Sequence, residues 1–542
     1  MNSKQQILLN KIEYLFKFLY IIGVLLVLAL LDDAGKDYII SSFMVFMLLY
    51  LFLGLSMSQA FLNIVKPRFQ KQQFKNAKTV FKSTLLYLVI IEGCFIVVAA
   101  FFTNKLSSFL HIAKPFPFGI ILFLPLLLLV PLNEVFRNYY QCYNRRLTVI
   151  ITRVLGLVTA VLVGLCIYSP LREYGLKVDA LLKNEYMGDL YASLTIPIAI
   201  LASQVMVLLC MGWMYLVYKP FIRKQTTNDL TKYNENIFRM LPVVAKAHFG
   251  ANLYKISIYL LIFVAFIFCS FYNRKAPGLE NANTSFGILA IVLAVTILIP
   301  YFVTKAFTLK YILRYRKMLK NEDTRGIKEY LWNRTHKYFI ITCALAIFFI
   351  VMAESIIFIL TGDTIPQHII HMQILSFSYI LVPLYSLYSM FLSNIGKSKS
   401  ILIINYVSLL VSVLITFLLY KIPAVGGYGI SVGIIFYFLI AFICEFIVLQ
   451  RESGFNKNFT KLVVLPMLST FIMGIILLIA AKLIGIVSHR MLQFLICIGL
   501  LILCVIIYML LLLILHCVEE DDLNGGFWGR IMYKLGELLH IF

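Results

Sequence analysis

The sequence predicts an all-α polytopic membrane protein of about 14 transmembrane helices, and three observations predict it. Of its 542 residues, 61% are hydrophobic and 13% charged, with a mean hydropathy of +0.91. A soluble domain is about 45 to 50% apolar and about 25% charged. Runs of roughly 20 apolar residues, enough to cross a hydrocarbon core of about 30 Å as a helix, recur along the whole chain. The basic residues gather in alternate connections between those runs.

In chain order, the runs fall at 11–31, 38–62, 83–102, 117–137, 148–168, 189–218, 241–270, 286–309, 338–361, 370–394, 400–420, 427–450, 461–484 and 491–516. The first is followed by Asp32 and Asp33 and by no small-residue cleavage site, so it reads as a retained signal anchor. Ten cysteines lie almost all inside apolar runs, without CxxC spacing, and read as packing residues. The tail, 517–542, places Phe527, Ile531, Leu535, Leu538 and Phe542 at helical spacing. It reads as an amphipathic helix, either lying on the cytoplasmic face or docked on neighbouring loops.

The net charge of +23 is explained by orientation. With the N-terminus cytoplasmic, 34 lysines and arginines fall on the cytoplasmic side and 10 on the other, the asymmetry of the positive-inside rule. Both termini are then cytoplasmic in a multi-pass protein. Contact with anionic membrane lipids adds to the effect, and no nucleic-acid partner is implied.

An internal repeat organises the chain. The stretch VPLNEVFRNYYQCYNRRLTVIITRVLGLV from Val130 returns 252 residues later as VPLYSLYSMFLSNIGKSKSILIINYVSLLV from Val382. Both copies open on Val-Pro-Leu, reach a short basic turn and re-enter on an Ile-rich run. Likewise the basic linker and span from Lys66 pair with those from about Lys310, each span carrying a lone acid, Glu92 or Glu354. The implied domains are an N-lobe at 1–235, a C-lobe at 236–450, two further helices over 451–516 and the tail. Even numbers of helices per lobe imply a pseudo-twofold along the membrane normal.

With that layout, FLGLSMSQAFLNIVKPRFQKQQFKNA from Phe52, NEVFRNYYQCYNRR from Asn133, LIPYFVTKAF from Leu298, and MFLSNIGKSKSILIINYV from Met390 followed by VGGYGISVGIIF resemble the multidrug/oligosaccharidyl-lipid/polysaccharide (MOP) flippase superfamily, particularly its polysaccharide-exporter and lipid II branches. The resemblance covers most of the chain and rests on motif order and spacing. It implies an alternating-access transporter that moves undecaprenyl-linked sugars across the bacterial inner membrane, from the cytoplasmic to the outer leaflet. Lipid II itself and cation-coupled drug efflux are the alternatives. In contrast to lipid II flippases, the first span offers only Lys11 and Lys17 as cations. The first two spans are also expected to hold no buried acid, which weighs against drug export.

Charged residues within a membrane face a partner or a wet cavity. In the seventh span His248, Asn252, Lys255 and Tyr259 fall at i, i+4, i+7 and i+11, one helical face. There Lys255 would meet a diphosphate, His248 and Asn252 would donate to it, and Tyr259 would contact sugar. The alternative is a buried stripe bonded to neighbouring helices, or Lys255 paired with Glu92, Glu354 or Glu445. Lys246, Arg153 and Lys17 suit a cationic entrance or snorkelling to the interface. Glu92, Glu354 and Glu445 are candidates for coupling to H+ or Na+. Glu134 and Arg137, at i and i+3, pair with each other; the second repeat has Ser386 and Ser389 in their place, which leaves the charged pair open to a lobe-specific role. Tyr139, Tyr140 and Tyr143 suit an interfacial aromatic belt.

No cofactor is called for. GKS at Gly396 lacks the glycine spacing of a phosphate loop, and His368 and His371 read as a surface loop and not a metal site. No catalytic constellation appears and no outer loop is large, so a membrane glycosyltransferase has no support. The expected state is a monomer.

Overall fold

The structure, a computed structural model, describes residues 3–105, 118–183, 186–227, 229–253, 256–275, 285–422, 425–454, 463–487, 489–518, 532–534 and 537. All regular elements among them are helical. Lipid offers the backbone no water, and a helix satisfies its own N–H and C=O groups.

We number the spans in chain order: α1 (Ser3–Leu30), α2 (Asp33–Gln70), α3 (Phe74–Phe101), α4 (Phe118–Cys142), α5 (Arg146–Leu182), α6 (Met187–Thr227), α7 (Ile237–Leu253 and Ile256–Ser270), α8 (Phe286–Lys320), α9 (Thr324–Val351), α10 (Pro366–Asn394), α11 (Ser398–Tyr420), α12 (Gly429–Ser453), α13 (Leu465–Ile484) and α14 (Arg490–Ile514). Among the described residues 13 helices are long and apolar enough to cross a membrane, and α7 makes 14 if its two segments, inclined at 61°, form one span. Every apolar run of the sequence thus has its helix. Several helices overrun their apolar windows: α2 continues to Gln70, α8 to Lys320, and α9 starts at Thr324. Hydropathy marks only the part in lipid, whereas lysine-rich turns propagate a helix into water with little loss.

The chain packs as two compact units. One takes in Met1–Lys275 with Ser285–Ile291, the other Val292–Phe542. Within the first, α7 lies against α2 and α3, so the repeat boundary in sequence and the packing boundary differ by one helix. The core of this unit is aromatic. Phe81 of α3 stacks on Tyr139 of α4 at 4.1 Å, and Phe69 meets Tyr143 edge-on at 4.8 Å. Tyr139, Tyr140 and Tyr143 are therefore buried core residues and not the expected interfacial belt. Their rings fill the space between α2, α3, α4 and α6, and Tyr140 donates its hydroxyl to the Met211 carbonyl at 2.8 Å.

In the second unit α8, α9, α10 and α12 close on Tyr315, Leu331, Tyr388, Phe391 and Leu449. A second cluster packs α13 and α14 onto α9 through Met473, Leu477, Leu500 and Tyr508. His368 and His371 are buried in α10, not on a surface loop; His371 Nδ1 lies 2.7 Å from Ser431 Oγ of α12. No group of three or more potential metal ligands occurs among the described residues. The amphipathic tail lies almost wholly outside them.

Candidate functional site

A charge cluster inside the helices of the first unit is assembled from α1, α4 and α5. Glu134 of α4 accepts from Arg137 Nη1 at 2.6 Å, the pairing its i, i+3 spacing implies. It also accepts from Arg153 Nη2 of α5 at 2.7 Å, which the sequence did not show. Arg153 in turn lies 3.6 Å from Glu13 of α1, and Glu13 pairs with Lys17 one turn on at 3.0 Å. Arg137 Nε donates to Thr152 Oγ1 at 3.3 Å. Beside them Asn133 donates to the Gln204 side chain of α6 at 3.0 Å.

Three residues the sequence marked separately, Lys17, Arg153 and the Glu134–Arg137 pair, are thus one network. Glu13 completes it and overturns the expectation that the first two spans hold no buried acid: its side chain is only 18% exposed. The signal was available, since Glu13 and Lys17 stand at i, i+4 in a mostly apolar span. Three cations face two carboxylates, which leaves one positive charge in excess. Arg153 Nε is buried without a hydrogen-bond partner among the described residues. Planar guanidinium groups held this way suit a phosphate or carboxylate.

The α7 stripe fares differently. His248 is buried, its Nδ1 3.4 Å from the Tyr87 hydroxyl of α3. Asn252 donates to the Leu51 carbonyl of α2 at 2.5 Å. Lys255 lies outside the described residues. Tyr259 sits on the other α7 segment, inclined at 61° to the one that carries His248 and Asn252. Lys246 is exposed.

The three acids separate. Glu92 closes a π-helical turn, Leu88–Glu92, and is fully buried, with neither oxygen hydrogen-bonded among the described residues. Glu354, its repeat partner, is exposed. Glu445 of α12 is buried in the second unit, where Ser389 Oγ donates to it at 2.5 Å and Lys305 of α8 is within electrostatic range. Ser389 occupies the repeat position of Arg137, and Asn405, which accepts from the Tyr385 hydroxyl at 3.2 Å, that of Arg153. At these repeat-related positions the first unit carries guanidinium groups and the second hydroxyl and amide groups.

No family model matches the chain, and no curated protein matches it in sequence. Solved structures do. One described as the lipid II flippase MurJ, in an inward closed conformation, superimposes with a TM-score of 0.60 at 15% identity, over 92% of this chain and 97% of that one. An inward-facing multidrug resistance MATE transporter of the MOP superfamily gives 0.57 at 14%, over 82% and 94%. A MATE structure in a straight conformation gives 0.57 at 17%, over 83% and 95%. The protein is a multi-pass membrane protein, and its fold is that of these MurJ and MATE structures.

Proposed function

We propose that the chain is an alternating-access flippase for undecaprenyl-diphosphate-linked oligosaccharide, a polysaccharide repeat unit or related envelope precursor, working from the cytoplasmic to the outer leaflet of the bacterial inner membrane. The observation that carries this reading is the charge cluster of Glu13, Lys17, Glu134, Arg137 and Arg153, cationic by one. A diphosphate would displace part of the internal pairing and take Lys17 and Arg153 as partners. The fold shared with a structure described as a lipid II flippase supports it. The repeat lobes 1–235 and 236–450 would rock against each other, with 451–516 and the tail 517–542 as additions, and the termini would be cytoplasmic. Lys246 would stand with Lys17 and Arg153 at a cationic entrance; further along the path Lys255 would meet the diphosphate, with His248 and Asn252 as donors to it, and Tyr259 would contact sugar. Glu445 and Glu92 are the buried candidates for coupling to H+ or Na+, and Glu354 the exposed one. Lipid II is the neighbouring substrate reading.

The test is reconstitution. Liposomes holding the purified protein should move a fluorescent undecaprenyl-diphosphate glycan between leaflets, and Arg153→Gln should cut the rate about tenfold or more, the loss of one charge-assisted contact. A second reading, cation-coupled drug exchange, is favoured by one observation, the acid Glu13 inside α1. Dye movement driven by a Na+ or proton gradient, unaffected by Arg153→Gln, would select it.

A further inference from the structure

An apolar groove of about 200 Å3 lies in the first unit between α1, α5 and α6. Gly23, Val24 and Val27 of α1, Ala160 and Gly164 of α5 and Ala199 of α6 form its walls. Small side chains on three helices hold it open: a Cβ on Gly23 would touch nothing within 4 Å, and one on Gly164 would stand 3.9 Å from the Ala199 methyl. Its polar lining residues are Tyr20 and Thr195, and the buried Thr195 hydroxyl has no partner among the described residues.

The groove continues the charge cluster. On α1, Glu13, Lys17, Tyr20, Val24 and Val27 follow one another at steps of four and three, hence along one face. On α5 the same holds for Arg153, Leu157, Ala160 and Gly164. The ionic residues therefore stand at one end of the trough and apolar residues line the rest. From Lys17 to Leu30, the last α1 residue in its wall, the axial distance is ~20 Å, about two-thirds of a hydrocarbon core. Such a surface complements an anionic amphiphile: excess positive charge at one end, apolar walls leading away from it.

We infer that this groove seats the isoprenoid chain of the transported lipid, with its diphosphate on Lys17 and Arg153. The inference rests on the proposed function and adds a second, apolar contact to it. The chain leaves the diphosphate through a carbon–oxygen bond, so it must start where the phosphate sits, and this groove starts there. The rest of the long chain stays in lipid, since the groove takes only its first isoprene units.

The test uses the full-length protein in detergent with two probes, undecaprenyl diphosphate and isopentenyl diphosphate, which share the headgroup and differ in chain length. Gly23→Phe puts a ring on a position whose Cβ would touch nothing within 4 Å, and Gly23→Ala serves as the control for the glycine itself. Gly23→Phe should weaken undecaprenyl diphosphate about tenfold, the worth of a few buried methylene groups, and leave isopentenyl diphosphate unchanged. Unchanged binding of the long probe overturns the groove, and so would a ring displacing only a resident phospholipid. An equal loss for both probes overturns it too. If Gly23→Phe fails to fold, Val27→Trp on the same wall carries the same test. Arg153→Gln tests the headgroup reading separately: it should weaken both probes, and no effect on either removes the headgroup site whatever Gly23→Phe does.

Discussion

Glu134 is the residue on which the network turns, because it accepts from two guanidinium groups on two helices. Removing one partner of a buried pair costs about 3 to 5 kcal/mol. A quarter of the Glu134 side chain is exposed, so water recovers part of that, and Glu134→Gln should destabilise by about 1 to 3 kcal/mol. Thermal unfolding in detergent reads this. The double variant Glu134→Gln with Arg153→Gln should lose less than the two singles together, since the second change removes a charge already left without its partner. Strict additivity would show that the two do not interact. The sequence revealed the i, i+3 half of this arrangement and not the other half, because Arg153 is 19 residues from Glu134 and only packing joins them.

At the scale of elements, the turns carry the specific chemistry. The connection from α6 to α7 is strapped to the turn between α2 and α3. Asp229 accepts from the Phe74 and Lys75 amides at 2.8 and 3.3 Å and so caps α3. The Asn76 side chain donates to the Tyr233 carbonyl at 2.9 Å and accepts from the Glu235 amide at 3.0 Å. Arg68 donates from Nε and Nη2 to the Glu235 carboxylate, the latter bond at 2.5 Å. Losing an N-cap carboxylate costs about 1 kcal/mol, so Asp229→Ala should raise amide exchange over residues 229–236 and at the start of α3. Glu235→Arg should do the same, and the swap Arg68→Glu with Glu235→Arg should restore part of the protection. No recovery on swapping would place the strap's strength in its backbone contacts. Hydropathy located the helices on both sides of this strap. It could not show the strap, whose members lie 154 to 167 residues apart and are ordinary loop residues by composition. The aromatic residues of α4 were misplaced for a similar reason: tyrosine suits both a membrane interface and a core, and only the facing Phe81 and Phe69 decide.

For the whole molecule, the orientation in the membrane ties the fold to the proposed direction of transport. By the positive-inside rule, the 34 to 10 division of basic residues would set the N-terminus, the α6–α7 connection and the turn after Lys320 on the cytoplasmic side. A green fluorescent reporter fused after Thr227 or Lys320 should fluoresce, and alkaline phosphatase fused after Lys183 or Lys421 should be active, with the opposite fusions silent. This orientation bears on function because the charge cluster spans the first half of the core and ends at its middle. From Ile7, where the apolar part of α1 begins, Glu13 lies ~9 Å and Lys17 ~15 Å along the axis, the latter at the midpoint of a core of about 30 Å. With the N-terminus inside, that half is cytoplasmic. A diphosphate made in the cytoplasm would then reach Lys17 and Arg153 from its own leaflet, as proposed, while the apolar trough from Tyr20 to Leu30 would lead towards the other. Fusions reporting the reverse orientation would set the cluster in the outer half, and the direction proposed for transport would fail even if the site itself survived.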